Sequence, residues 1–141
     1  MRISEKKNIE DARVIDTVKH LVRPEHLNGA NTLFGGTLLA WIDEAAAISA
    51  IEMVGGDRVA TVAMSNIVFE RPVHAGDLIR ITIWPIEVGS TSISFRARVT
   101  VRGSRKAVIT VERIVFVTLD KDGRPKPHGV KKILPKTLEK K

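Results

Sequence analysis

The sequence predicts an α+β domain in which one long central helix is wrapped by a curved antiparallel sheet of five to six strands. Three observations carry that expectation. Residues 28–53 open with turn formers, pass a Gly35-Gly36 pair and continue as a run of helix formers that is apolar nearly all round. One strand-like segment precedes this stretch, and four long segments rich in β-branched residues follow it, joined by short turns. Strands segregated from a single helix pack as an antiparallel sheet rather than as alternating parallel units. A sheet of long strands twists strongly, and a helix apolar on every side needs cover on every side, so the sheet has to curl around it. Its own sheet cannot cover it completely, and a second subunit is the expected cover for the rest.

In chain order, residues 1–12 form a polar lead-in. No apolar run follows Met1, so no signal peptide is expected and the location is expected to be cytoplasmic. Residues 13–23 have the texture of a strand, which Pro24-Glu25-His26 breaks. The central helix places Leu38, Leu39, Ile42, Ala45, Ala46, Ser49 and Met53 on one face at helical spacing, and Gly55-Gly56 is a good C-terminal stop. A strand is predicted over residues 57–70, ended by Arg71-Pro72, with turn chemistry at residues 74–77. Residues 78–88 alternate Ile79, Ile81 and Ile83 with Arg80, Thr82 and Trp84, and Pro85 there implies an edge or a bulge. After Gly89-Ser90, residues 92–102 alternate most cleanly, with Ile93, Phe95, Ala97, Val99 and Val101 inward. A last long strand covers residues 106–119 and closes with a turn at residues 120–123. The domain is expected over residues 13–127, with a basic, Pro-interrupted tail over residues 128–141.

Composition narrows the function. A length of 141 residues fits one domain. The absence of Cys excludes disulfides, thiolate metal sites and Cys nucleophiles, and four scattered His residues make no metal site. The net charge of +7 points to an anionic partner. Only 4% of residues are aromatic and Tyr is absent, which weighs against base stacking and so against nucleic acid. A helix of roughly 18 residues could just reach across a bilayer. The Asp43-Glu44 pair, the small residues and the strand-rich remainder argue against a membrane span.

Asp43 is the residue to explain. At about 100° per residue it lies at the edge of the apolar stripe, beside Leu39, Ala47 and Gly36. A carboxylate there needs a partner or a cavity. It either caps a backbone or pairs with an Arg, or it is a base at the wall of a cleft. Gly35 and Gly36 open the helix, where glycine allows close approach to the backbone. Free N–H groups at a helix start can receive a developing oxyanion. The same glycines would also suit tight helix–sheet packing. Gly36 and Asp43 lie two turns apart on one side, so a carbonyl could sit between donors and a carboxylate.

Asn28, Asn31-Thr32-Leu33-Phe34-Gly35-Gly36 and, six residues later, Asp43-Glu44-Ala45 resemble the signature of the hotdog-fold acyl-CoA thioesterases of the YciA and cytosolic long-chain acyl-CoA hydrolase type. The resemblance runs to about Pro127. It departs at Asn31, where the family usually has Gly; Asn is the non-Gly residue that best tolerates a left-handed backbone. The resemblance implies hydrolysis of acyl-CoA to CoA and a carboxylic acid, with CoA as part of the substrate and no separate cofactor or metal. It implies Asp43 as general base or nucleophile, Gly36 at the oxyanion, and Asn28 facing the partner subunit's site to orient water or the carbonyl. Gly35, Thr61, Gly89, Thr91 and Ser92 are implied substrate contacts, the last three along the pantetheine arm. A subset of Arg58, Arg71, Arg80, Arg96, Arg98, Arg102, Arg105, Lys106 and Arg113 is expected to hold the CoA phosphates. The implied assembly is a homo-oligomer of dimers, a trimer of dimers. The alternatives are a non-catalytic acyl-CoA sensor on the same fold, for which residues 1–12 are too short to add a helix-turn-helix, and a hydratase, which would need a His that is not near Asp43 in sequence.

Overall fold

The computed structural model describes residues 16–131. The elements are β1 (Asp16–Leu21), a 3-10 turn (Pro24–His26), α1 (Gly35–Met53), β2 (Arg58–Phe69), β3 (Leu78–Val88), β4 (Ser92–Val101) and β5 (Ala107–Leu119). The strands form one antiparallel sheet in the order β1-β3-β4-β5-β2. From β1 at one edge the chain crosses through α1 to the other edge, and returns to pair β3 with β1. The meander β3-β4-β5 then closes the sheet against β2.

Alternation determines which face each strand buries. Ile79, Ile81 and Ile83 of β3, Ile93, Phe95, Ala97 and Val99 of β4, and Ile109, Val111, Ile114 and Phe116 of β5 are buried. They meet Leu38, Ile42, Ala45, Ala46 and Ala50 of α1 in a single core. The three alanines let the helix come close to the sheet, and Phe95 and Phe116 meet edge to face at 5.9 Å.

Two expectations resolve into something more definite. Pro85 lies in β3, which is not an edge strand, and it stands at a register shift against β4 between Pro85 and Glu87; of the two options, the bulge is the one realised. Asn31 takes φ 63, the left-handed backbone expected of it. As expected, the sheet does not cover the helix completely: Ile48 is left at 44% and Ile51 at 38% exposure. Among the described residues, no helix is long and apolar enough to cross a membrane.

Candidate active site

The start of α1 is open. No side chain caps it, and the first of its N–H groups to find a backbone acceptor is that of Leu38, on Phe34 at 3.1 Å. The two glycines there differ. A Cβ on Gly35 would sit 3.1 Å from the Phe69 ring, so this glycine serves the packing of α1 on β2. A Cβ on Gly36 would meet nothing within 4 Å. The backbone at Gly36 is therefore the approachable one.

Two turns further along, Asp43 is half-buried and accepts a 2.7 Å hydrogen bond at Oδ1 from the Thr61 hydroxyl. Thr61 stands where β2 slips against β5: Thr61 pairs with Phe116 and Ala63 with Val115, so Val62 is the extra residue. A bulge of this kind re-aims the side chains beside it. The Thr61 bond fixes the plane of the carboxylate and leaves Oδ2 free. Among the described residues no cation pairs with Asp43 and no backbone N–H donates to its side chain.

Asn28 is placed differently. Its Oδ1 accepts from Ala30 N at 2.8 Å, Thr32 N at 3.1 Å and Thr32 Oγ1 at 3.3 Å. It knits the turn that feeds α1 and makes no hydrogen bond to Asp43 of its own chain. Its Nδ2 amide is what remains to be offered elsewhere.

The β3–β4 turn is tight: Gly89 N donates to Ser92 O at 2.9 Å, and a Cβ on Gly89 would fall 2.7 Å from Ser92 Oγ. Thr91 accepts from Thr118 N at 2.8 Å. Ile93, Phe116 and Thr61 lie in one register row across β4, β5 and β2. Two strand spacings make about 10 Å, so Gly89, Thr91 and Ser92 share an end of the sheet with Thr61. The fold thus gathers Asp43, Thr61 and this turn, leaves Gly36 open nearby on α1, and keeps Asn28 apart.

The sequence reading missed His128. Its backbone N donates to Ser90 O at 3.2 Å and its Nε2 lies 3.0 Å from Ser92 O, while Nδ1 accepts from Val130 N at 3.0 Å. That last bond puts the proton on Nε2, and the residue straps the turn in place. A lone His in a Pro-rich segment gives no such signal. On the other flank of α1, Trp41 is stacked on His20 at 4.3 Å and met edge-on by His26 at 4.9 Å. Burial holds the His20 pKa below its ordinary value, against an opposing pull from Glu44 and with a smaller push from His26.

Several of the basic residues expected to hold phosphates are already engaged. Arg113 pairs with Glu87 at 2.7 Å, Arg96 with Glu112 at 3.7 Å, and Arg58 donates to Asp120 O at 2.9 Å. Arg80 and Arg98 alternate with core residues and so lie on the sheet face away from α1, not beside Asp43. Among the described residues no three His, Asp or Glu side chains converge as metal ligands would.

Comparison with known proteins adds an independent line. The model of the thioesterase superfamily matches residues 30–108. The acyl-CoA thioester hydrolase YciA of Salmonella typhimurium is 33% identical over 80% of this chain and 89% of its own. The structure of an acyl-CoA hydrolase from Staphylococcus aureus, in complex with butyryl coenzyme A and coenzyme A, superposes with a TM-score of 0.72 at 30% identity, over 79% of this chain and 70% of that one. Solved mutants of that enzyme replace an aspartate, an asparagine or a threonine by alanine. A hexameric thioesterase from Yersinia pestis superposes with a TM-score of 0.74 at 28% identity, over 81% of this chain and 93% of that one.

Proposed function

The chain belongs to the thioesterase superfamily, and from that premise we propose that it hydrolyses acyl-CoA thioesters to CoA and a carboxylic acid in the cytoplasm. The observation that carries this reading is the Asp43–Thr61 pair: a half-buried carboxylate held by one hydroxyl at one oxygen, with no cation of the described residues beside it. An oriented carboxylate with a free oxygen is what a general base on water needs, and it equally suits direct attack on the carbonyl to give an anhydride. The open N–H groups around Gly36 receive the oxyanion. The Gly89–Ser92 turn lies along the pantetheine arm, with Thr91 and Ser92 as its contacts.

Asn28 completes the site from a partner subunit. Since its Oδ1 is taken by its own turn, it contributes an N–H to the thioester carbonyl or to the attacking water. The exposed side of α1 and the β2 edge form the dimer surface, and three such dimers make a hexamer, a size that agrees with the hexameric thioesterase from Yersinia pestis. Release of free thiol from acetyl-CoA and longer acyl-CoAs, followed with a thiol reagent, tests the reaction. Binding of acyl-CoA without thiol release would leave the protein a sensor and overturn the catalytic reading.

A further inference from the structure

The sheet face turned away from α1 carries a second feature on its β1–β3–β4 side. Ile79, Ile81, Ile83 and Val99 face the core, so Arg80, Thr82, Trp84, Arg98 and Thr100, which alternate with them, face outward. The register sets Lys19 directly opposite Arg80 and Thr82 directly opposite Arg98. Two adjoining clefts, of about 420 Å³ and about 500 Å³, share Arg80, Thr100 and Ser104. Lys19 and Arg102 wall the first, Arg98 and Arg105 the second. Arg98 donates to Arg105 O at 2.6 Å, which ties the turn after β4 to the strand.

Like charges directly opposite on neighbouring strands are destabilising. By contrast, Arg23, Arg96, Arg113 and Lys126 each reach a carboxylate. Among the described residues none does so for Lys19, Arg80, Arg98, Arg102 or Arg105. The groove thus holds a concentration of positive charge, with hydroxyls from Thr82, Thr100 and Ser104, and no carboxylate of the described residues relieves it. Guanidinium forks match phosphate oxygens in pairs. Successive rows on one face are about 7 Å apart, so cations from two rows suit a string of phosphates better than a single one.

We infer that this groove binds a ligand carrying two or more linked phosphates, at a site separate from the thioester site. The sheet itself lies between the groove and Asp43, so an acyl-CoA reacting at Asp43 cannot lay its phosphates in the groove of the same chain. Such phosphates belong to a free polyphosphate or a nucleotide; a groove filled by the phosphates of a CoA held by a neighbouring chain would instead be part of the thioester site. The experiment separates these sources.

Calorimetric titration of the full-length protein with tripolyphosphate at low salt should show about one ligand per chain. The Arg80→Ala/Arg98→Ala variant should bind at least tenfold more weakly, and so should Lys19→Ala, which guards against a folding defect in the double variant. Tripolyphosphate should raise the melting temperature of the wild type but not of the variants. Binding should persist, and ATP should bind too, in the presence of saturating CoA. Absence of binding, or binding that all variants retain, overturns the site. Displacement by CoA overturns its separateness and gives the groove to the substrate's own phosphates.

Discussion

The two edges of the sheet are built to opposite specifications. Over its described residues, Asp16–Leu21, β1 turns Thr17, Lys19 and Leu21 outward. A lysine on an edge discourages a further strand. β2 spans twelve residues, none of them buried, and exposes Val62 at 56%, Val68 at 50% and Phe69 at 52%. On α1, Ile48 and Ile51 are likewise uncovered. A long apolar edge is a liability unless another chain covers it. Thr61, which holds the carboxylate, belongs to this open edge. The closed edge serves the fold, and the candidate chemistry grows from the edge that the single chain leaves incomplete.

The sharpest way to break this comparison is to remove the chemistry and leave the fold. Asp43→Asn keeps the size of the side chain and an acceptor for Thr61, so the melting temperature should hardly move. The rate of thiol release should fall by about 10²–10⁴, the scale of lost general-base catalysis. A folded variant turning over at the wild-type rate would falsify the role given to Asp43. If the open edge brings a partner's Asn28 to the site, mixing inactive Asn28→Ala chains with Asp43→Asn chains should restore part of the activity.

A charge on each edge tests the edges themselves. Val68→Asp should shift the protein to a smaller species in sedimentation and take turnover down with it, because an apolar contact is replaced by a desolvated carboxylate. Thr17→Asp on the closed edge should leave both unchanged. If the two variants sediment alike, the asymmetry of the edges has no bearing on assembly.

The glycine pair gives a smaller but cleaner contrast. Alanine is favoured over glycine in a helix by up to about 1 kcal/mol. Gly36→Ala has room for its Cβ, so it should raise the melting temperature slightly while lowering turnover if the substrate approaches there. Gly35→Ala pushes its Cβ against the Phe69 ring at 3.1 Å and should lose that gain. A Gly36→Ala variant with full activity would remove the oxyanion role from that end of the helix.

Much of this was legible in the chain. The strands announced themselves because period-2 alternation is a local signal, and β3 begins and ends where the pattern says it does. The Gly35-Gly36 to Asp43 spacing was legible for the same reason. What escaped depends on pairings far apart in sequence. A threonine hydroxyl on a strand looks the same whether it faces solvent or Asp43; the slip that aims Thr61 is made against Phe116 and Val115. Lys19 meets Arg80 only through register. The all-round apolar composition of α1 said that one sheet would not cover it, but only the packing shows that Ile48 and Ile51 are the residues left exposed.

The smallest effect belongs to the closed edge. His20 of β1 is stacked on Trp41, and burial there lowers its pKa in the folded protein below the ordinary 6.5, with Glu44 pulling the other way and His26 adding to the lowering. The unfolded chain therefore takes up a proton at this position before the folded one does. Stability from the neutral, half-buried ring is present above the unfolded pKa and is lost as pH falls through the folded value. Melting temperatures between pH 7.5 and 5.5 should fall more steeply for the wild type than for His20→Gln. That window lies above the usual carboxylate range, and His26→Gln serves as the control for the other imidazole on Trp41. Parallel slopes for wild type and His20→Gln would mean that the stack carries no proton linkage.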